Sequence, residues 1–395
     1  MMQELSYCKL CVISNYRPSS VVEFKSQPAD LKPYISFTNG VCSACLYQQI
    51  KENINWDERR EELEKLCDQY RSKNGEYDCV VPGSGGKDSS FTSHYLKTEL
   101  GMNPLTVTWA PHIYTENGWN NFQSWINIGG FDNYLIHPNG NIHRKLTKLA
   151  FENLGHPFQP FIVGQRMVGP RIAALHNIPL VFYGENQAEY GNNVEDNYSP
   201  LMDQKFYSTT DSLEEFFLSG LSQDTLSKNY KIDKQHLEIY KPLNLKKVEE
   251  VGIRVHYLGY YYKWDPQEMY YYAVEHTGFR AKDSRTEGSY SKYAGIDDKI
   301  DWLHYYMTVI KFGIGRATYD ASQEIRNNKI TREEGIALVN KYDTEFPEEY
   351  FSEILEYLDM EKSDFWNIVD SFRNPLFWKQ NSNQEWEKIN SIGTI

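Results

Sequence analysis

VVPGSGGKDSSF, residues 80–91, decides the fold of this chain. It opens as a short apolar strand, turns through glycines and runs into a helix-like stretch, SSFTSHYLKTEL. The adjacent Gly85 and Gly86 let backbone N–H groups converge on an anion, and a helix N-terminus adds the positive end of its dipole. Ser84 and Ser89 offer hydroxyl donors, and Lys87 offers a cation. Two familiar glycine loops do not fit. Aligned on Gly86 and Lys87, the pattern G-x-x-x-x-G-K-S/T meets Val81 and Asp88 where it needs glycine and a hydroxyl. The pattern G-x-G-x-x-G, aligned on Gly83 and Gly85, needs a glycine where Asp88 stands. A carboxylate beside phosphates is repulsive unless a cation lies between them, and Mg²⁺ is the obvious one.

The neighbouring sequence supplies a sheet for this loop. YDCVVP, PLTVTWAP, FDNYLIHP and IPLVFYG read as strands, with a Trp- and Asn-rich helix before the third and PFIVGQRMVGPRIAALHN as a helix before the fourth. Strands and helices alternating at this spacing predict an α/β fold with a doubly wound parallel sheet. Ligands of such sheets sit at the carboxyl ends of the strands. That nominates Trp109 and Ala110 for the adenine edge, with Gly184, Glu185 and Asn186 at the tip of the later strand.

Four of the six cysteines come in pairs, Cys8 with Cys11 and Cys42 with Cys45. Two C-x-x-C knuckles supply a tetrahedral set of thiolates for structural zinc, with no ligand position left open for catalysis. Cys67 and Cys79 read as packing residues. Three segments follow: a four-cysteine zinc-knuckle module over 1–55, an ATP-binding domain over 56–200 and a mostly helical, aromatic-rich substrate or partner domain over 201–395.

With 41 Lys and Arg against 54 Asp and Glu, the net charge is -13. That balance argues against nucleic acid as the main partner, because backbone affinity needs cationic surface. No apolar run approaches the ~18 residues of a membrane span. The amino-terminal MMQELSYCKLC lacks the apolar centre of a secretory signal, which predicts a cytoplasmic protein. The 30 tyrosines, as in LGYYYKW and EMYYYAV, suit half-buried helices whose hydroxyls reach water, or a sugar-stacking surface.

Ser84-Gly85-Gly86-Lys87-Asp88-Ser89 resembles the S-G-G-x-D-S signature of the PP-loop ATP pyrophosphatases, whose fold is similar to that of the adenine-nucleotide α hydrolases. The resemblance implies a loop, residues 84–89, that grips the β- and γ-phosphates of ATP while a substrate oxygen is adenylated. Across most of the chain the pattern is similar to the N-acetyl sugar amidotransferases of bacterial lipopolysaccharide and flagellin-glycan pathways, including pseudaminic-acid amidotransferases. The paired cysteines, VVPGSGGKDSS, VTWAP, YGEN, EGSYSKYAGIDDKIDWLHYYM and KFGIGRATYDAS carry this second likeness in order. It implies an N-acetyl group converted to an acetamidino group, with ammonia from a separate HisH-like glutaminase, at times with a HisF-like subunit. No cysteine here has the flanks of a thiol glutaminase. The same reading expects Lys87, Lys311 and Arg316 to neutralise phosphate charge and Mg²⁺ to lie near Asp88. An ordinary helix–helix turn with solvated cations is the other reading of KFGIGRATYDAS, and EGSYSKYAGIDDK is either a lid or a long surface loop. A tRNA-modifying PP-loop enzyme of the thiolation or lysidine type is the alternative, since some of these also carry knuckles ahead of the loop. The acidic tail from about residue 320 reads as amphipathic helices.

Overall fold

In a computed structural model the chain is described over residues 4–18, 34–184, 186–190, 198–210 and 216–393. Glu185, one of the residues nominated above, lies outside them. Strand β1 (Cys79–Pro82) is buried at every position, as a parallel strand covered on both faces should be. With β2 (Pro104–Trp109), β3 (Asn133–Ile136), β4 (Leu180–Tyr183) and β5 (Arg254–Tyr257) it forms one sheet in the order β5-β4-β1-β2-β3, every pair parallel. The order reverses between β1 and β4, which places a ligand crevice at the carboxyl end of β1.

The first four strands lie where the sequence places them. β5 does not: it belongs to the segment beyond residue 200, read above as mostly helical, so the sheet continues across that boundary. Its alternation of Ile253, Val255 and Tyr257 is short and merges into the aromatic run that follows, which hides it in the sequence.

Side chains alternate across the sheet with period two. Val80, Val107 and Val181 face α6 (Gln159–His176), packing on Met167, Val168 and Ile172. Val81, Leu180 and Phe182 point the other way, onto Phe91, Tyr95 and Leu96 of α3 (Lys87–Thr98). Burying each of these larger side chains contributes about 1.5–3 kcal/mol. Trp109, expected at the adenine edge, instead sends its indole into the α6 face, 2% exposed. A Cβ on Gly164 of α6 would stand 2.2 Å from its Cε2, so a glycine is what lets helix and strand close up there.

Helices α4 (Glu116–Gly129) and α5 (Gly140–Leu154) complete the crossovers, started by the Thr115 and Asn139 caps and ended by left-handed Gly130 and Gly155. After β5 comes α7 (Pro266–Thr277), laid along α3. The tail is helical as expected: α8 (Lys299–Phe312), α9 (Arg316–Arg326), α10 (Arg332–Tyr342), α11 (Phe351–Leu358) and α12 (Lys362–Ser371). An unexpected hairpin, Trp378–Gln380 with Trp386–Lys388, closes it.

The cysteines gather as the sequence predicts. All four sulfurs of Cys8, Cys11, Cys42 and Cys45 lie within 4.8 Å of one another and are buried. Sulfurs on a tetrahedral zinc, at Zn–S of about 2.3 Å, stand about 3.8 Å apart; Cys11 and Cys42 are 3.7 Å apart. An iron–sulfur cluster, each iron taking one thiolate, would spread them wider. The residues fit structural zinc. The Leu10 and Cys42 amides donate to Cys8 Sγ, and with its neighbouring thiols hydrogen-bonded to it this sulfur is driven toward thiolate. Arg332 binds the Cys8 and Cys11 carbonyls, and Ile314 packs among the cysteines, so the module is fastened to α9 and α10. Close by, the Tyr7 hydroxyl donates to the Asn390 carbonyl at 2.7 Å.

Two outcomes are expected. Cys42→Ser should drop bound zinc below one per chain, measured by metal analysis, and lower the melting temperature. Gly164→Ala should destabilise by about 1–3 kcal/mol through overpacking against Trp109, read from urea unfolding.

Candidate functional site

The loop after β1 is shaped by contact with α4. Gly85 has φ +83°, and a Cβ there would sit 2.7 Å from Phe122 Cα. The turn therefore needs glycine twice over, for its backbone conformation and for its closeness to α4. Helix α3 then starts from Gly86, a residue with no side chain to cap it, so its first-turn amides stay open to a ligand. Ser90 Oγ and Thr92 Oγ1 donate back to the Gly85 and Asp88 carbonyls and hold the turn in shape. Lys87 Nζ lies 2.6 Å from Asp88 Oδ2. Asp88 Oδ1 is buried without a hydrogen-bond partner, an acceptor suited to a cation.

The opposite wall comes from the far half of the sequence. Residues 287–299, left above as lid or loop, fold against the end of β2, the last of them opening the next helix. Asp298 Oδ2 accepts from both the backbone N and Nδ1 of His112, each at 2.7 Å, while Oδ1 caps α8 at Ile300 N. Thr115 N donates to the Asp297 carbonyl, and Ser84 of the loop offsets part of the burial that raises the Asp297 carboxyl.

Between these walls lies an open cleft that brings together Lys87, Ser291, Tyr293, Arg316, Asp320 and Glu324. Arg316 Nε is 3.2 Å from Asp320 Oδ1, and its guanidinium stacks over Tyr305 at 4.5 Å. Asp301 Oδ2 stands 3.9 Å from Arg316. Burial raises the Asp301 carboxyl to about 7 despite Arg316, and burial likewise raises Asp297 and Glu324. At neutral pH Asp301, beside Arg316, can therefore gain or release a proton.

The nominated residues divide. Lys87 and Arg316 share the cleft, with Ser84, Gly85, Gly86, Asp88 and Ser89 forming the loop at its edge. Lys311 does not line it: its amine donates to the Leu154 carbonyl at 2.6 Å, closing the end of α5. Ala110 is buried and its amide is taken by the Ile136 carbonyl. Trp109 offers no ring face, being in the core. Gly184 sits at the tip of β4, its carbonyl bonded by Gly259 N. Asp301 and Asp320 were not anticipated. The spacing of Arg316 and Asp320, four residues apart on one helix face, was the available signal.

The WbpG-like family model described as the C-terminal domain of an LPS biosynthesis protein matches residues 287–392. An uncharacterized protein of Methanocaldococcus jannaschii is 26% identical over 100 residues, 25% of this chain and 31% of that protein, so the match spans about a third of the relative's length. A solved structure, the U34-tRNA thiolase NcsA from Methanococcus maripaludis with its 4Fe–4S cluster, aligns over 84% of this chain and 95% of that one. Its identity is 9% and its TM-score 0.26, too low to carry an argument. Among the described residues no helix is long and apolar enough to cross a membrane. The wall that brings Arg316, Asp320 and the 287–298 strap to Lys87 thus lies within the stretch similar to the WbpG-like C-terminal domain of LPS biosynthesis proteins.

Proposed function

We propose that this chain is an ATP-dependent amidotransferase that converts an N-acetyl group of a bacterial surface-glycan sugar into an acetamidino group. One observation supports it above the rest: the glycine loop's Lys87 and the WbpG-like domain's Arg316 face a single cleft. A phosphate-gripping loop alone suits many reactions. A loop opposite a domain of LPS biosynthesis proteins suits adenylation of a sugar.

In this reading Gly85, Gly86 and the open first turn of α3 hold the β- and γ-phosphates, with Ser84 and Ser89 as further donors and Lys87 neutralising charge. Asp88, with its orphaned Oδ1, would hold Mg²⁺, which would supply positive charge against the phosphates. The sugar's acetamido oxygen attacks the α-phosphorus and pyrophosphate leaves, giving an O-adenylyl imidate. Ammonia adds to the imidate carbon, the C–O bond breaks with AMP taking the oxygen, and loss of a proton leaves the amidine. Arg316 is placed to stabilise charge on the departing phosphate, and Asp301, titrating near 7, to accept that proton. A separate HisH-like glutaminase, with or without a HisF-like subunit, is the ammonia source in this proposal, ammonium salts replacing it in vitro.

Incubation with Mg-ATP, ammonium and a panel of N-acetylated bacterial sugars should yield AMP, pyrophosphate and a sugar about one mass unit lighter, followed by mass spectrometry. Lys87→Ala should lower turnover by about 10²–10³-fold, as loss of an electrostatic group does. ATP left uncleaved with every sugar would overturn the reading. Asp301 adds a readout free of turnover. The folded carboxyl titrates near 7 and an unfolded aspartate near ~3.9, so between those values the folded state holds more protons. Stability should therefore fall as pH rises through that window. Asp301→Asn should melt higher than the native protein at pH 8, the gap shrinking towards pH 4.

A further inference from the structure

Helix α9 shows two faces to two cavities. Arg316, Asp320 and Asn327 line the cleft described above, while Tyr319, Ser322 and Arg326 line a second, small one against the cysteine module. Gln323 lines both, so the two adjoin through one side chain. Ile13, Ile35 and Ala44 give the second cavity an apolar wall.

Among the described residues its charge is not balanced. Arg17 is 6% exposed and stacks over Tyr319 at 5.1 Å, yet its Nε and Nη1 have no hydrogen-bond partner and, among the described residues, no carboxylate pairs with it. The other charged groups are engaged. Glu189 is held by Lys51 Nζ at 2.6 Å. Arg326 donates to the Glu189 carbonyl and lies within the field of Cys11, Cys45 and Cys42, which raises its pKa against burial. Ser322 Oγ, a second buried donor, is also unpartnered. A buried guanidinium with open donors costs free energy until an anion arrives, and a planar fork suits an oxyanion.

We propose that this cavity is an oxyanion subsite in which Arg17 and Ser322 bind a carboxylate or phosphate of the acceptor, Tyr319 flanking it and Gln323 marking the passage to the Lys87 cleft. The subsite rests on the sugar-acceptor reading and sets which acceptors enter.

Calorimetric titration tests it without turnover, using N-acetylneuraminic acid as carboxylate probe, UDP-N-acetylglucosamine as phosphate probe and N-acetylmannosamine as neutral control, each with a non-hydrolysable ATP analogue present. Arg17→Gln should weaken whichever anionic probe binds by about 10- to 100-fold, the worth of a charge-assisted hydrogen bond. Arg17→Lys should restore part of the loss, Ser322→Ala should weaken the same probe by less, and affinity for the ATP analogue should not move. The probe that responds identifies the oxyanion as carboxylate or phosphate. Binding of anionic probes unchanged in Arg17→Gln, or no binding of either by the native protein, overturns the subsite. So does loss of zinc from Arg17→Gln with unaltered probe affinity in the zinc-loaded fraction, which would make the arginine a counter-ion of the metal. Arg17-dependent binding without pyrophosphate release from any bound sugar keeps the subsite and removes the amidotransferase. Turnover indifferent to Arg17 does the reverse.

Discussion

Asp298 holds the two halves of the molecule together. One oxygen accepts from the His112 backbone and ring, at the end of β2; the other caps α8. A carboxylate 1% exposed is costly unless every lone pair is used, and here hydrogen bonds serve both oxygens. The arrangement fixes where the strap ends, puts Asp297 against Ser84 and starts α8 at the register that later delivers Arg316. It thereby helps fix the separation of the phosphate loop and the helix opposite, and reaction geometry tolerates little error.

The cysteine module serves the same alignment from the other side. Its helix α1 (Ser43–Lys51) ends in Lys51, fully buried, whose amine meets both Glu189 and the Trp264 carbonyl. Glu189 follows β4 and Trp264 precedes α7, so one cation joins the module to both flanks of the sheet's ligand edge. Breaking such a buried pair from one side typically costs about 3–5 kcal/mol because the other charge is stranded. The cysteine module thus supports the cleft by packing and ion pairing.

Much of this was legible in the sequence for reasons that are local. The turn at Gly85, the alternation of strand and helix, and the C-x-x-C spacing each write their constraint within a few residues. What escaped was set by distant partners. Trp109 at a strand's carboxyl end looked available to a ligand, yet Gly164 opens a slot for it in the core. Lys311 and Arg316 looked equivalent in KFGIGRATYDAS. The left-handed Gly313 between them turns the chain, leaving one cation on the end of α5 and the other in the cleft. β5 was lost because four residues of alternation cannot be told from the aromatic sequence beside them until a neighbour strand is known. The pairing of Lys87 with the 287–392 region could not be read from either segment alone.

The bond between Tyr7 and Asn390, with Arg332 gripping the carbonyls of Cys8 and Cys11, gives the chain a closed circuit. A ribosome makes the segments this circuit joins at well-separated times. The four thiols emerge well before Arg332 and the Ile314 that packs among them. Until then the knuckles lack that cover. A metal captured early would protect the thiols from oxidation, and synthesis of the later helices would then brace the knuckle against the cleft.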